Sequence, residues 1–146
     1  MKAVIQRVSQ AKVEINSVLK SEMGEGLLAL IAVSSDATIE KLKWFANKLV
    51  NLRIFPDEQD KINKSVADIG GSLMLISNFT VYGDTNKGFR PNFSNAAPPQ
   101  EAEKIFRQLV DYFKKNYNIP ILEGEFGAMM DISLTNAGPV TVIVEK

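Results

Sequence analysis

A glycine-proline pair, Gly138-Pro139, interrupts an apolar run near the end of this chain. Small and polar residues surround it from Asn136 to Thr141, and β-like segments flank them at Met129–Leu134 and Val140–Val144. Proline is rare inside strands because it has no N–H to donate to the ladder. The pair therefore predicts a tight hairpin turn, which the pattern alone favours, or a deliberate main-chain kink with a cis bond before the proline.

A second polar interruption, Ser77-Asn78-Phe79-Thr80, directly follows the apolar segment Leu73-Met74-Leu75-Ile76. Sheets of the α/β class tend to place their sites where buried strands end. Thr80 is therefore a candidate nucleophile, and the amides near Phe79 are candidates for an oxyanion site. On the pattern alone, a polar strand end whose hydroxyls bond to neighbouring main chain is the favoured alternative.

The composition excludes the commonest catalytic chemistries, since the chain contains no histidine and no cysteine. Ser-His-Asp catalysis, thiolate catalysis, disulfides and cysteine-ligated zinc are all ruled out. We expect no cofactor and no metal. If the chain is an enzyme, its site is expected to consist of main-chain groups and hydroxyls.

The charge balance limits the partners of the chain, because its 17 Lys and Arg residues are balanced by 17 Asp and Glu residues and the net charge is zero. Proteins that coat a nucleic-acid backbone usually carry a clear basic excess, so any such contact should be small and local, and we expect no DNA binding. No apolar run has the length of a signal peptide or a membrane span. We therefore expect a cytoplasmic protein without membrane contacts.

Periodicity predicts one α/β domain over residues 1–146, in which two amphipathic helices pack on a strongly curved sheet in the order ββ(βα)(βα)βββ. The predicted helices are Thr38–Arg53, with an N-cap offered by Ser34-Ser35-Asp36, and a second one from Pro98-Pro99 to about Asn116. Residues 55–71 and 86–98 are predicted loops. The predicted strands are Ala3–Ile15, Val18–Met23, Leu27–Val33, Leu73–Tyr82, Ile121–Phe126, Met129–Leu134 and Val140–Val144.

Three further features are candidates for function. The segment Gly88–Ser94 combines an arginine with two phenylalanines, which together can hold phosphate and stack on a base. Arg7, in the first strand, requires a carboxylate or a carbonyl cluster if it faces inward. The pair Met129-Met130 is expected in the core. Four acidic residues are candidates for an acid/base pair, although a solvated surface is favoured: Asp84, Glu123, Glu125 and Asp131.

Seven short stretches are informative together through their order and spacing. They are Ile5-Gln6-Arg7-Val8, Arg53-Ile54-Phe55, Gly70-Gly71-Ser72, Ser77-Asn78-Phe79-Thr80, Arg90-Pro91-Asn92-Phe93-Ser94, Phe126 with Ala128 and Met130, and Asn136-Ala137-Gly138-Pro139-Val140-Thr141. Single motifs would be far less specific than this ordered set. With these stretches the chain resembles the D-aminoacyl-tRNA deacylase family over essentially its whole length.

The resemblance implies the deacylase fold and a homodimer that hydrolyses the ester between a D-amino acid and the 3′ adenosine of tRNA. It implies that Gly138-Pro139, joined by a cis bond, enters the partner's pocket and clashes with L-aminoacyl groups, and that Arg7 steadies this loop. Ser77, Asn78, Phe79 and Thr80 would line the reaction site, where neighbouring amides polarise the ester carbonyl. Phe126 and Met130 would lie near the terminal adenine.

One residue departs from the family pattern, because Asn78 stands where the family usually has glutamine.

Two other functions stay open on the residues alone. The first is a dimeric module that binds nucleic-acid ends or nucleotides without turnover. The second is a carboxylate-dependent hydrolase that would use a pair such as Asp84 and Asp131.

Overall fold

Eight strands and two α-helices make up the chain, and the computed structural model describes all residues from 1 to 146. The α/β class and the two helices packed on a curved sheet confirm the predicted fold class. The helices are α1 (Ile39–Val50) and α2 (Pro99–Asn116), and a 3₁₀ helix spans Phe79–Tyr82. The strands are β1 (Lys2–Ile15), β2 (Val18–Met23), β3 (Gly26–Ala32), β4 (Phe55–Pro56), β5 (Ile62–Lys64), β6 (Ser72–Ser77), β7 (Ile121–Glu123) and β8 (Asp131–Glu145).

The main sheet has the strand order β2-β1-β3-β6-β7, and β8 pairs with β1 along most of its length. Strands β3, β6 and β7 are parallel, and α1 and α2 form the crossovers between them. The first half of β1 pairs antiparallel with β3, and its second half pairs with β2. One long strand therefore links the parallel part of the sheet to its antiparallel part. Neither helix combines the length and the apolar character that a membrane crossing needs.

The sheet curves until its edge strands β2 and β7 meet, where the Ser21 hydroxyl donates to the Glu123 carbonyl over 3.1 Å. The main core lies between the sheet and the two helices and contains Phe45, Phe55 and Phe113. A second, smaller core fills the inside of the curl. Its buried members are Val8, Ala11, Val13, Met23, Leu28, Met74 and Ile76.

Both helices follow their apolar stripes, but α1 begins at a different cap from the predicted one. The Thr38 hydroxyl accepts from the Lys41 amide over 3.3 Å and caps the helix. The prediction that Ser34-Ser35-Asp36 caps α1 is wrong, because the Ser34 hydroxyl instead donates to Asp36 and accepts from the Met1 amino group. Helix α2 begins with Pro99 in its first turn and ends at Asn116, as predicted.

Three predicted elements differ from the structure. Strand β6 ends at Ser77 rather than Tyr82, because the side chain of Asn78 caps a 3₁₀ helix there. The predicted loop 55–71 contains the short β4–β5 hairpin. The two last predicted strands are the single strand β8, so the hairpin interpretation of the Gly-Pro segment is wrong.

Candidate active site

The Gly-Pro segment forms a large bulge on β8. Gln6 of β1 pairs with Thr141, and Val8 pairs with Asn136, so residues 137–140 all lie opposite Arg7. A common β-bulge adds one residue to a strand, whereas this one adds three. The peptide bond between Gly138 and Pro139 is cis, as predicted, and both residues are exposed.

The side chain of Arg7 hydrogen-bonds to the main chain of the bulge. Its Nε donates to the Ala137 carbonyl over 2.8 Å, and its Nη1 donates to the Ile54 carbonyl over 2.7 Å. The inward-facing charge therefore has a pair of carbonyl partners, one of the two solutions expected from the sequence. Because Ile54 follows α1, the guanidinium ties the bulge to the helical layer as well as to β1.

Asn136 holds the two ends of the bulge together. Its Oδ1 accepts from the Val140 amide over 2.7 Å, and its Nδ2 donates to the Thr141 hydroxyl over 3.0 Å and to the Val140 carbonyl over 3.3 Å. Side-chain amides that bond to nearby main chain commonly stabilise such local turns. Of the segment Asn136–Thr141, only Gly138 and Pro139 were predicted site residues. The signal was present, since a polar amide stands two residues before the Gly-Pro pair.

Only glycine fits at position 138. Its φ of +140° lies in a region that residues with side chains rarely adopt. A Cβ there would lie 2.9 Å from Nη2 of Arg7 and 2.8 Å from Cγ2 of Val140. The guanidinium is therefore packed directly against the main chain of Gly138, and the most exposed part of the bulge, Gly138 with Pro139, consists of backbone and a proline ring.

The second part of the candidate site lies at the exit of β6. The Asn78 amide donates to the Ile31 carbonyl over 2.8 Å, which fixes the end of the strand to β3. The Asn78 Oδ1 accepts from the Thr80 amide over 3.1 Å and from the Thr80 hydroxyl over 2.5 Å. Phe79 occupies the first position of the 3₁₀ helix, where an N–H has no intrahelical acceptor. The Thr80 amide bonds to Asn78 Oδ1 and the Val81 amide to the Asn78 carbonyl, so the Phe79 amide is the one that the helix and its cap leave without a partner.

No side chain that could activate Thr80 as a nucleophile contacts its hydroxyl. The hydroxyl donates to the amide oxygen of Asn78, which is not a base. Tyr82 ends the same 3₁₀ helix, and burial raises the pKa of its phenol above the usual 10.0. It therefore stays protonated at neutral pH. A covalent mechanism through Thr80 would require a base, and this arrangement provides none.

Phe126 and Met130 both lie on the segment after β7 but pack in different places. Phe126 contacts Phe106 of α2, with ring centroids 6.1 Å apart, on the helical side of the sheet. Met130 is half-buried against the smaller core, and its sulfur accepts from the Glu125 amide over 3.4 Å. The prediction that Met129 belongs to the core is wrong, because its side chain is 90% exposed.

Three of the four acidic candidates bond to neighbouring residues at the surface, and the fourth, Asp131, is exposed without a salt bridge. Glu123 pairs with Lys114 over 2.6 Å, and Glu125 pairs with Lys20 over 3.2 Å. Asp84 accepts from the Asn86 amide over 2.9 Å. No group of three or more acidic residues is arranged to hold a metal ion.

Within one chain, the bulge and the β6 exit are far apart. Arg7 pairs with Leu27, which pairs with Leu73, whereas Ser77 lies four residues further along β6. Three strand spacings of ~4.8 Å and four residues of ~3.3 Å place Gly138 and Ser77 roughly 20 Å apart along the sheet. The structure therefore brings Gly138 and Arg7 together, but it does not bring them next to the β6 exit of the same chain.

Comparisons with known proteins give a consistent result. The family model described as D-Tyr-tRNA(Tyr) deacylase matches residues 4–145. A protein named D-aminoacyl-tRNA deacylase from Thermosipho africanus (strain TCF52B) is 48% identical over 146 residues, covering 100% of this chain and 97% of that protein. A protein of the same name from Chlorobaculum tepidum (strain ATCC 49652 / DSM 12025 / NBRC 103806 / TLS) is 46% identical, with the same coverage.

Two solved structures share the fold. The structure titled c-Myc DNA Unwinding Element Binding Protein has a TM-score of 0.95 and 36% sequence identity, covering 100% of this chain and 99% of that chain. A probable eukaryotic D-amino acid tRNA deacylase has a TM-score of 0.82 at 16% identity, covering 98% of this chain and 97% of that chain, and so supports the fold alone. The family match over nearly the whole length, with relatives close to half identical, shows that this chain belongs to the D-aminoacyl-tRNA deacylase family.

Proposed function

We propose that this chain hydrolyses the ester between a D-amino acid and the 3′ adenosine of tRNA, and that it refuses the corresponding L-esters. The observation that carries the proposal is the bulge at Gly138-Pro139, which is exposed, receives a hydrogen bond from Arg7 and donates one to Asn136 through the Val140 amide. The names of the relatives support the reaction and the substrate class. The cytoplasm, where aminoacyl-tRNA is used, is the proposed location.

The bulge acts as a rigid wall beside the α-carbon of the substrate. A pocket that selected D-residues by their side chains would also restrict which amino acid is accepted. A main-chain wall restricts only the configuration, since an L-side chain collides with it and a D-side chain points away. This is specificity by exclusion. The α-amino group of the bound ester is placed against a main-chain carbonyl near Gly138.

Two copies of the chain build each site. A gap of roughly 20 Å along the sheet separates Gly138 from Ser77 within one chain, so the wall serves the β6 exit of a partner. An apolar row crosses the sheet face opposite the helices and ends one residue before Ser77. Its members pair in register as Ile143, Val4, Leu30 and Ile76. Ile143 is 62% exposed, Val4 and Leu30 are half-buried, and Ile76 at the end of the row is already buried in the smaller core. A second copy that covers this row would also bring its bulge to the site.

Hydrolysis proceeds without a covalent enzyme intermediate. The Phe79 N–H polarises the ester carbonyl and stabilises the oxyanion that forms when water attacks. Ser77 and Thr80 line the site as hydroxyls, and Asn78 fixes the geometry of the 3₁₀ helix through Thr80. The 2′-hydroxyl of the terminal ribose assists the proton transfer, because no side chain here is a base. Phe126 and Met130 contact the terminal adenine.

The related structure titled as a binding protein of a DNA unwinding element does not change this proposal. The chain carries equal numbers of basic and acidic residues, whereas tight duplex binding needs several phosphate contacts from a basic surface. Recognition of the end of a tRNA needs only a local basic surface. We therefore propose aminoacyl-tRNA rather than DNA as the ligand.

The reaction is tested with D- and L-aminoacyl-tRNA that carry the same side chain. We expect ester loss from the D-substrate at catalytic protein concentrations, and loss from the L-substrate no faster than in buffer. If the D-ester is bound but not hydrolysed, the chain is a binding module and the proposed reaction is wrong. Covalent trapping of an acyl group on Thr80 would contradict the water mechanism alone.

The dimer is tested by placing a charge on the apolar row. Ile143→Glu should give a monomer in sedimentation and abolish D-ester hydrolysis, because it buries a carboxylate at the proposed interface. Val18→Glu is the matched control, since Val18 is 68% exposed on β2 and lies outside the row. A monomeric Ile143→Glu variant with full activity would refute the shared site.

A further inference from the structure

The segment from Asp84 to Asn92, here called the 84–92 loop, is closed and braced at its base. Two main-chain hydrogen bonds join Asp84 and Asn92, over 2.8 and 2.9 Å. The Asp84 side chain also accepts from the Asn86 amide over 2.9 Å, and the Asn92 side chain accepts from the Ser94 amide over 3.0 Å. Gly88, with φ of +69°, forms the turn near its tip. The loop therefore projects from the protein with a fixed base.

The 84–92 loop presents one aromatic ring and two cations to solvent. Phe89 is fully exposed, and Lys87 and Arg90 are exposed and take part in no salt bridge. No acidic residue lies between positions 84 and 92, so the projecting part carries a charge of +2 in a chain whose net charge is zero. An exposed ring between two unpaired cations is typical of surfaces that bind single-stranded nucleic acid.

The loop stands next to the candidate active site. Phe93 follows the loop and packs edge-on against Phe79, with ring centroids 5.1 Å apart. Gly83 precedes the loop and packs closely on the same Phe93 ring. Gly88 is four positions from both Asp84 and Asn92, so the tip lies within about 14 Å of the base. An RNA strand whose 3′ end lies beside Phe79 can therefore reach the loop within a few nucleotides.

We propose that the 84–92 loop binds the unpaired nucleotides that precede the terminal adenosine of the tRNA. Phe89 stacks on a base, and Lys87 and Arg90 contact the flanking phosphates. Charge complementarity and the connection through Phe93 to the site favour this ligand. The inference rests on the proposed function, because it assumes that the terminal adenosine sits beside Phe79.

The first experiment compares a long and a short substrate. Phe89→Ala should raise the KM for D-aminoacyl-tRNA about 5- to 150-fold, from the loss of one stacked base. Hydrolysis of the same D-aminoacyl ester of adenosine alone should be unchanged, because that substrate lacks the preceding nucleotides. Equal effects on both substrates, or no effect on either, would overturn the proposal. Failure of the wild type on both substrates would instead refute the proposed function.

The second experiment measures the charges. The double variant Lys87→Gln with Arg90→Gln should reduce the slope of log affinity against log salt by about 1.4, at ~0.7 for each single-strand phosphate contact. The control is Lys104→Gln with Lys115→Gln, which removes the same charge from exposed positions on α2. The slope of this control should match the wild type. An equal loss of slope in both double variants would show only a general charge effect and would overturn the proposal.

The third experiment measures binding without turnover, with a non-acylated RNA oligonucleotide that has the tRNA 3′ sequence. Phe89→Ala should weaken binding, and Phe89→Trp should restore it and show fluorescence quenching by the stacked base. Sedimentation of Phe89→Ala should still give the dimer. A shift of that variant to monomer would mean that the loop contacts the second protein copy, and the proposal would be wrong.

Discussion

Replacement of Asn136 by alanine removes the side chain that closes the bulge, and its effect can be estimated from the hydrogen bonds. Two bonds have good lengths, 2.7 Å to the Val140 amide and 3.0 Å to the Thr141 hydroxyl, and a third to the Val140 carbonyl is 3.3 Å. At ~0.5–1.5 kcal/mol net for each good bond, Asn136→Ala should lower the free energy of unfolding by about 1–3 kcal/mol. That corresponds to a Tm lower by about 3–10 °C.

The same free energy limits how strongly the Asn136 side chain can hold Gly138 and Pro139 in their projecting position. If the bonds of Asn136 keep Gly138 and Pro139 projecting, their loss lets the wall retreat from an L-side chain. The ratio of D- to L-ester hydrolysis should then fall by about 5- to 150-fold, the factor that 1–3 kcal/mol supports. The rate on the D-ester should change less than this ratio, because the proposed oxyanion site at Phe79 belongs to a different element.

The assay is single-turnover deacylation of matched D- and L-aminoacyl-tRNA, with thermal unfolding measured on the same samples. Asn116→Ala is the control, since Asn116 also donates its amide to a main-chain carbonyl, that of Tyr112 over 2.8 Å, but at the end of α2. Asn136→Asp retains an acceptor for the Val140 amide and loses both donors, so it should lie between wild type and alanine. If Asn136→Ala loses stability and keeps the full D/L ratio, the wall does not depend on this side chain and the reasoning is wrong.

Other substitutions separate the remaining roles. Thr80→Ala should slow D-ester hydrolysis by less than about 100-fold, far from the ~10⁶ loss that follows removal of a covalent nucleophile; a loss of that size would indicate acyl transfer to Thr80. Asn78→Gln should change the rate but not the handedness, because the longer side chain cannot bond to Thr80 in the same way; a changed D/L ratio would argue against this. Arg7→Lys should cost about 1.5–3 kcal/mol, since one ammonium cannot reach both carbonyls, and unchanged melting would contradict that. Hydrogen bonds from the Ser65 amide and hydroxyl lower the pKa of Asp68 below its ordinary value of 3.8. The stability that these bonds add to the folded state is present above the ordinary pKa of Asp68 and is lost as the pH falls through its lowered pKa. The Tm difference between wild type and Asp68→Asn should therefore be largest near pH 7 and shrink towards pH 3.

The helices and most strands follow from the sequence, because their burial repeats with simple periods. Leu42, Phe45 and Leu49 recur at helical spacing and are all buried in α1. The segment Leu27–Val33 is continuously apolar, and six of its seven residues are buried. In these segments the local pattern and the packing agree, so periodicity is sufficient to predict the element.

Less of the candidate site can be predicted from the sequence, because its geometry depends on contacts between residues that are distant along the chain. Nothing in the residues around Gly138 indicates that Arg7, 130 positions before Ala137, donates the hydrogen bond to the Ala137 carbonyl; only the family resemblance implied that Arg7 steadies this loop. The single strand β8 also could not be predicted locally, since Gly-Pro is a strong turn signal. What overrides that signal is the pairing with β1 on both sides of the bulge. The capping role of Asn78 was missed for a different reason, since it depends on where β6 ends.

Deacylation of four substrates by the wild-type protein, namely the D- and L-forms of tyrosyl-tRNA and of alanyl-tRNA, tests whether the main-chain wall selects substrates by their handedness. These amino acids differ greatly in side-chain size but share the geometry of the α-carbon. Exclusion by the Gly138-Pro139 wall predicts that both D-esters are hydrolysed and both L-esters survive. If either L-ester is hydrolysed as fast as its D-partner, or if the rate follows side-chain size rather than handedness, the main-chain wall does not select the substrate.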